Sequence, residues 1–150
     1  MIKQNTVIPK GLQMHIDTWE NDGDNYKTQV LSGLTKEDIL FYIDILNLFG
    51  GSNLDSDGKM IPDFGNDDIH HSLICNYIAS IMDNHSNISL SVKDVWTESL
   101  NDNYSMVDAI YNILGAPVEC EYGFCRVFED FRVYNIPEEI IFVDITDEFK

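Results

Sequence analysis

Apolar and polar positions alternate near the start of the chain. Leu12, Met14, Ile16 and Thr18 interleave with Gln13, His15, Asp17 and Trp19, a period of two that predicts a strand. Asn21-Asp22-Gly23-Asp24 reads as a turn, and Tyr26 to Leu31 returns as a second strand, so a β-hairpin is expected. The period then lengthens. Thr35 is placed to cap a helix, with Asp38 three residues on in a capping-box arrangement. Ile39, Ile43, Leu46 and Phe49 form its apolar stripe, and Gly50-Gly51 closes it. A second helix is expected from about Asp67 to Met82, with Ile69, Leu73, Tyr77, Ile78 and Ile81 on one face. Ser91 to Leu114 reads as one broken helix or two. Ser91 with Asp94 and Ser105 with Asp108 look like caps, and Gly115-Ala116-Pro117 is a firm stop.

The C-terminal third changes character. Phe124 to Ile136 and Ile140 to Ile145 are rich in aromatic and β-branched residues, with Pro137 and Glu138-Glu139 between them. Two or three strands are expected there. The order of strands, then helices, then strands points to an α+β fold rather than repeated βαβ units. It would comprise an N-terminal β-hairpin, central helices and C-terminal antiparallel strands. Neither an internal repeat nor a low-complexity linker divides the 150 residues, so one domain, 1–150, is expected.

Charge changes the picture most. Nine Lys and Arg stand against 26 Asp and Glu, a formal net charge of −17. With 44% hydrophobic and 11% aromatic residues the chain has the makings of a packed core rather than an acidic disordered tail. A surface this negative repels phosphate backbones, which argues against direct nucleic-acid binding. The same field attracts a cationic partner and speeds the encounter, while also serving plain solubility. Residues 1–11 carry Lys3 and Lys10 and no apolar run of signal-peptide length. No stretch approaches the ~18 apolar residues of a membrane helix, so a cytoplasmic protein is expected. Cys75, Cys120 and Cys125 are an odd set and too few for a disulfide framework.

Motifs for chemistry are sparse. Asn53, Asp55, Asp57 and Gly58 match the first half of a calcium loop. Phe64 stands where the bidentate Glu belongs, so an acidic surface loop is the better reading and a calcium-dependent module a lesser one. His71 and Cys75 are four apart on a predicted helix, but neither a His-Glu-x-x-His nor a Cys-x-x-Cys accompanies them. The glycine-rich phosphate loops and the nucleophile elbow are missing. With 26 acids present, carboxylate pairs carry no information about glycoside chemistry. These readings favour a binding protein over an enzyme, with no cofactor and no metal.

The acids are clustered. Asp17, Glu20, Asp22 and Asp24 have no base among them, and Asp55, Asp57, Asp63, Asp67 and Asp68 have only Lys59. Both clusters fall in expected loops, where recognition residues concentrate. Trp19 and Tyr26 flank the first, and an aromatic beside carboxylates suits Lys and Arg; packing of the hairpin on the core would explain both aromatics equally. The candidate partner-binding set is therefore Trp19, Glu20, Asp22, Asp24, Tyr26, Asp55, Asp57, Asp63, Asp67 and Asp68. A competing set is Glu119, Glu121, Glu129 and Asp130, beside the C-terminal strands.

Trp19-Glu20-Asn21-Asp22-Gly23-Asp24-Asn25-Tyr26-Lys27-Thr28, with Gly33-Leu34-Thr35-Lys36-Glu37-Asp38, resembles the opening of immunity proteins from contact-dependent growth inhibition systems. Gly123-Phe124-Cys125-Arg126-Val127-Phe128, Val133-Tyr134 and Ile145-Thr146-Asp147-Glu148-Phe149 resemble their C-terminal stretch. The two ends cover about half the chain. The resemblance implies a partner: the cognate C-terminal toxin domain, often a nuclease, bound 1:1. It implies no catalytic residue, and Arg126 and Tyr134 in the matching stretch are expected to be structural. Composition points the same way, since a nuclease is basic where it grips phosphates. The alternative from composition is an acidic adaptor or nucleic-acid mimic that regulates a host nucleic-acid-binding protein.

Overall fold

The computed structural model describes residues 5–20, 26–48, 68–115 and 126–150. Strands β1 (Asn5–Ile8), β2 (Gly11–Glu20) and β3 (Lys27–Leu34) come first. Helices α1 (Lys36–Leu46), α2 (Asp68–Asp83), α3 (Leu90–Ser99) and α4 (Asn103–Ala109) follow, the last running into a π-helical turn, Ile110–Leu114. Strands β4 (Arg126–Ile136) and β5 (Ile140–Val143) and a 3-10 turn, Thr146–Phe149, complete the order. The fold is α+β, with N-terminal strands, central helices and C-terminal strands, as the sequence pattern predicts.

β2 is the central strand. It pairs antiparallel with β3, from Leu12–Leu34 to Thr18–Lys27, and with β4 over its whole length, from Gly11–Ile136 to Glu20–Arg126. Its alternation decides which face is dry. Met14, Ile16 and Thr18 are fully buried under the helices, while Gln13, His15 and Asp17 occupy the other face. On that second face the polar groups satisfy one another. Gln13 donates to Ser32 Oγ at 3.0 Å and lies 2.7 Å from His15 Nε2. Asp17 accepts from Thr28 at 2.6 Å and from the Arg132 guanidinium at 3.1 Å. The Asp17 carboxylate holds Arg132 above the usual guanidinium range.

The core lies between the sheet and the four helices. Phe41, Ile45 and Leu46 from α1, Ile74 and Ile78 from α2, Trp96 from α3 and Met106 from α4 are all fully buried. Trp96 donates to the Tyr42 hydroxyl at 3.3 Å and packs edge-on against Phe41 and Tyr42. Burial pushes the Tyr42 phenol up, the Trp96 bond partly offsets that, and the Asp38 charge adds to it. On α2 the buried row is Ile74 and Ile78, whereas Tyr77, expected on the core face, is 40% exposed. The Ile69 and Leu73 side chains lie outside the described residues.

Asp38 ties the first helix to the third. The capping box with Thr35 forms as predicted: Thr35 Oγ1 accepts from the Asp38 amide at 3.2 Å, and Asp38 Oδ2 accepts from the Thr35 amide at 3.0 Å. The same carboxylate, fully buried, also accepts from the Ser89 amide and the Ser89 hydroxyl, each at 2.7 Å. Ser89 is therefore the N-cap of α3, with its hydroxyl spent on Asp38 rather than on its own helix. The expected Ser91–Asp94 cap is thus two residues late. The Ser105–Asp108 pair is corrected likewise: Asp102 caps α4, accepting from the Ser105 amide at 2.7 Å. Gly115 ends the helical layer at φ 76°, the left-handed conformation a glycine stop supplies. Gln29 from β3 donates to the carbonyl of Asn112 at 2.9 Å and locks that end onto the sheet.

β1 and β5 form a separate two-stranded ladder, from Asn5–Val143 to Ile8–Ile140. It continues the β2–β4 ladder past a break at Pro9-Lys10 on one side and Pro137-Glu138-Glu139 on the other. Proline lacks the N–H that a ladder needs, which accounts for the interruption. All four residues of β5 are exposed.

Candidate protein-binding surfaces

The hairpin forms as predicted, and its register brings two candidates together. Thr18 pairs with Lys27, so Trp19 and Tyr26 stand one step further, at the end of the described ladder. Their environments differ. Trp19 is half-buried and packed against the core, which is the packing role weighed for it. Tyr26 is 68% exposed and free to meet a partner. Glu20 ends β2 and Asp68 opens α2; their side chains lie outside the described residues. So do Asp22, Asp24, Asp55, Asp57, Asp63 and Asp67, the half calcium loop at 53–58, His71, Glu119 and Glu121. Of the competing set, Glu129 and Asp130 are exposed on β4. The ladder shifts there, pairing Asp17 with Asp130 but Thr18 with Phe128, so Glu129 lies in the bulge.

Run-counting along the sequence missed a second acidic surface. Asp83, Asp94, Glu98, Asp102 and Asp108 are all exposed on α2 to α4, with Lys93 beside them. Glu98 and Asp108 line an open groove of about 400 Å³ between α3 and α4, together with Val95 and Ser105. These acids are interleaved with buried positions such as Val92, Trp96 and Met106, so no run appears. Helical spacing was the signal that would have found them. The electrostatics within this surface follow from local bonds. Hydrogen bonds from Ser105 hold the Asp102 carboxyl below the ordinary range. Partial burial, then the Asp102 charge, push the Cys75 thiol up, which leaves it a poor nucleophile.

A smaller cavity of about 330 Å³ lies where α2 ends and α3 begins, lined in part by Met82, Asp83, His85, Lys93 and Thr97. His85 Nε2 meets Asp44 Oδ2 at 2.5 Å and its ring leans edge-on against Phe41. This dyad can orient an imidazole. No described serine or cysteine hydrogen bond extends it toward a nucleophile, and a pinned loop histidine is sufficient explanation. Among the described residues no group of three His, Cys, Asp or Glu side chains is placed to hold a metal ion, and no helix is long and apolar enough to cross a membrane.

Comparison of the chain with protein-family models, with curated proteins and with solved structures returns no match.

Proposed function

We propose that this chain is a non-enzymatic binding protein for a basic protein partner. Its specific role is that of an immunity protein of contact-dependent growth inhibition. It neutralises a cognate nuclease toxin domain in the bacterial cytoplasm by covering the active site or substrate groove in a 1:1 complex. The single observation that carries the reading is the formal net charge of −17 borne by a chain with a packed core. Acids on the strand surface, on the helices and in the acid-rich runs of the sequence together give a field suited to a groove built for phosphates. The resemblance at the two ends of the chain supports the narrower role. No cofactor or metal is needed for such an activity, because occlusion is the whole mechanism. Nanomolar to picomolar affinity, about −12 to −16 kcal/mol, lies within reach of one standard interface with a few aromatic and carboxylate anchors.

The test is co-purification and calorimetry with the C-terminal domain of a large secreted protein encoded immediately upstream, followed by a nuclease assay with and without this chain. Stoichiometric binding with loss of nuclease activity supports the proposal. A missing upstream toxin gene, together with capture of the chain on a host DNA- or RNA-binding protein, favours the adaptor reading instead.

A further inference from the structure

Among the described residues the β1–β5 ribbon stands apart from the packed core. Two-stranded ribbons are marginal in water unless something packs on them. Here both faces carry exposed apolar side chains. The register puts Val7, Ile141 and Val143 on one face and Ile8, Ile140 and Phe142 on the other. Ile141 is 54% exposed, Phe142 55% and Val143 57%, and Phe149 just beyond is 81% exposed. Taking an aromatic side chain at ~200 Å² and a branched aliphatic at somewhat less, the ribbon and its following turn expose on the order of 600 Å² of apolar surface. Divided between the two faces that is roughly 300 Å² a side, within the ordinary range for a monomer, so the open strand edge rather than the area marks the site. The edge itself is open. β5 is four consecutive apolar residues with no Lys, Pro or bulge among them, so only its shortness and the flanking Pro137 and acids guard it against indiscriminate pairing. Among the described residues it pairs with β1 alone.

Charge decides what fits there. Glu138 and Glu139 precede β5 and Asp144 and Asp147 follow it, all exposed. A second copy pairing antiparallel along β5 would set Glu138 and Glu139 against the other copy's Asp144 and Asp147, like against like, between two chains of charge −17. A strand with an apolar centre and Lys or Arg at both ends meets complementary groups throughout. We propose that the β5 edge is the docking strand for the basic partner, which adds an antiparallel strand to the ribbon and closes basic side chains onto Glu138, Glu139, Asp144 and Asp147. Main-chain pairing supplies the attachment and the flanking charges the choice of partner. This rests on the reading of the chain as a binder of a basic protein, and it moves the anchor from the acid-rich runs of the sequence to the C-terminal ribbon.

Two probes keep the inference and that reading separable. The first is a synthetic strand peptide, acetyl-KKVTVTVKK-amide, titrated into the full chain and followed by amide shifts and hydrogen exchange. Perturbation and slowed exchange centred on 140–143 are expected. Binding should weaken roughly tenfold in Glu138→Lys/Glu139→Lys but less than about twofold in Asp94→Lys/Glu98→Lys, which changes the net charge equally. Ile141→Ser/Val143→Ser, substitutions at exposed positions, should weaken binding without changing charge. Equal losses in the two charge-reversed variants would mean a field effect only and overturn the proposal. So would a dimer by light scattering that Ile141→Ser/Val143→Ser abolishes. The second probe is the upstream-encoded toxin domain. If it binds tightly and the ribbon variants leave its affinity intact while Asp22→Lys/Asp24→Lys weakens it, the ribbon inference fails and the function stands. If it does not bind while the peptide maps to β5, the immunity role fails and the ribbon stands as a docking site for another basic protein.

Discussion

Removing the Asp38 carboxylate should unfasten the helical layer at its most connected polar point. Three donors converge on it: the Thr35 amide at 3.0 Å and the Ser89 amide and hydroxyl at 2.7 Å each. Each is a bond to a charged acceptor, worth about 1.5–3 kcal/mol. The carboxylate is fully buried, and sparing it that desolvation gives back several kcal/mol, so the net loss is smaller than the gross. For Asp38→Ala we expect about 2–4 kcal/mol, because two backbone amides are left without their acceptor. At about 2–4 °C per kcal/mol for a chain of this size, the melting temperature should fall by roughly 5–15 °C. Asp38→Asn is the sharper probe. Its amide can still accept from the Ser89 N–H, but its NH₂ then faces the Thr35 N–H donor to donor. That variant should lose about 1–3 kcal/mol. In a double-mutant cycle with Ser89→Ala the coupling should be about 1 kcal/mol. The assay is urea unfolding followed by Trp fluorescence and circular dichroism, with the slope checked for constancy. A loss below about 0.5 kcal/mol for Asp38→Ala, or strict additivity with Ser89→Ala, would refute the reasoning.

Gly115→Ala should destabilise the fold by about 1–2 kcal/mol, since φ 76° strains an L-residue and the new Cβ would sit 2.8 Å from Gln29 Cγ; calorimetry of the single variant checks it. Asp102 has its carboxyl held low in the folded state, so its contribution is present above the unfolded value near pH 4 and is lost as pH falls through the lower folded value. The stability gap between the native chain and Asp102→Asn should accordingly be open at pH 6 and closed in strong acid. In a Cys120→Ser/Cys125→Ser background, Cys75 should alkylate more slowly at pH 8 than a free thiol, with a rate midpoint displaced upward; a rate equal to that of cysteine in an unfolded peptide would contradict the burial. Association with the basic partner should slow as salt is raised from low to physiological levels, with dissociation changing less; stopped-flow rates indifferent to salt would remove electrostatic steering.

Local pairings were legible because their physics is local. The Thr35–Asp38 capping box needs only a hydroxyl and a carboxylate three residues apart, and it forms. The alternation at Met14, Ile16 and Thr18 specifies a dry face without saying what dries it. The stop at Gly115 follows from one residue that tolerates positive φ. The candidate site was less legible: the sequence located acid-rich runs, and helical spacing could have marked the exposed acids of α3 and α4, but only the packing of the two helices brings Glu98 and Asp108 to one groove.

The sequence by itself therefore determined the α+β class, the hairpin, the first cap and the acidity of the surface, each a matter of nearest neighbours or of composition. The tertiary structure decided what depends on distant partners. β2 is central because β4, more than a hundred residues on, pairs along its whole length. Ser89 rather than Ser91 starts α3 because Asp38, 51 residues earlier, recruits both its amide and its hydroxyl. Ile74 rather than Tyr77 turns inward on α2 because two adjacent rows of that helix are apolar, and only packing selects between them. β1 escaped notice because four residues carry too little period to read, and their partner strand begins at Ile140. The open ribbon these strands make exists only once the two ends of the chain have met.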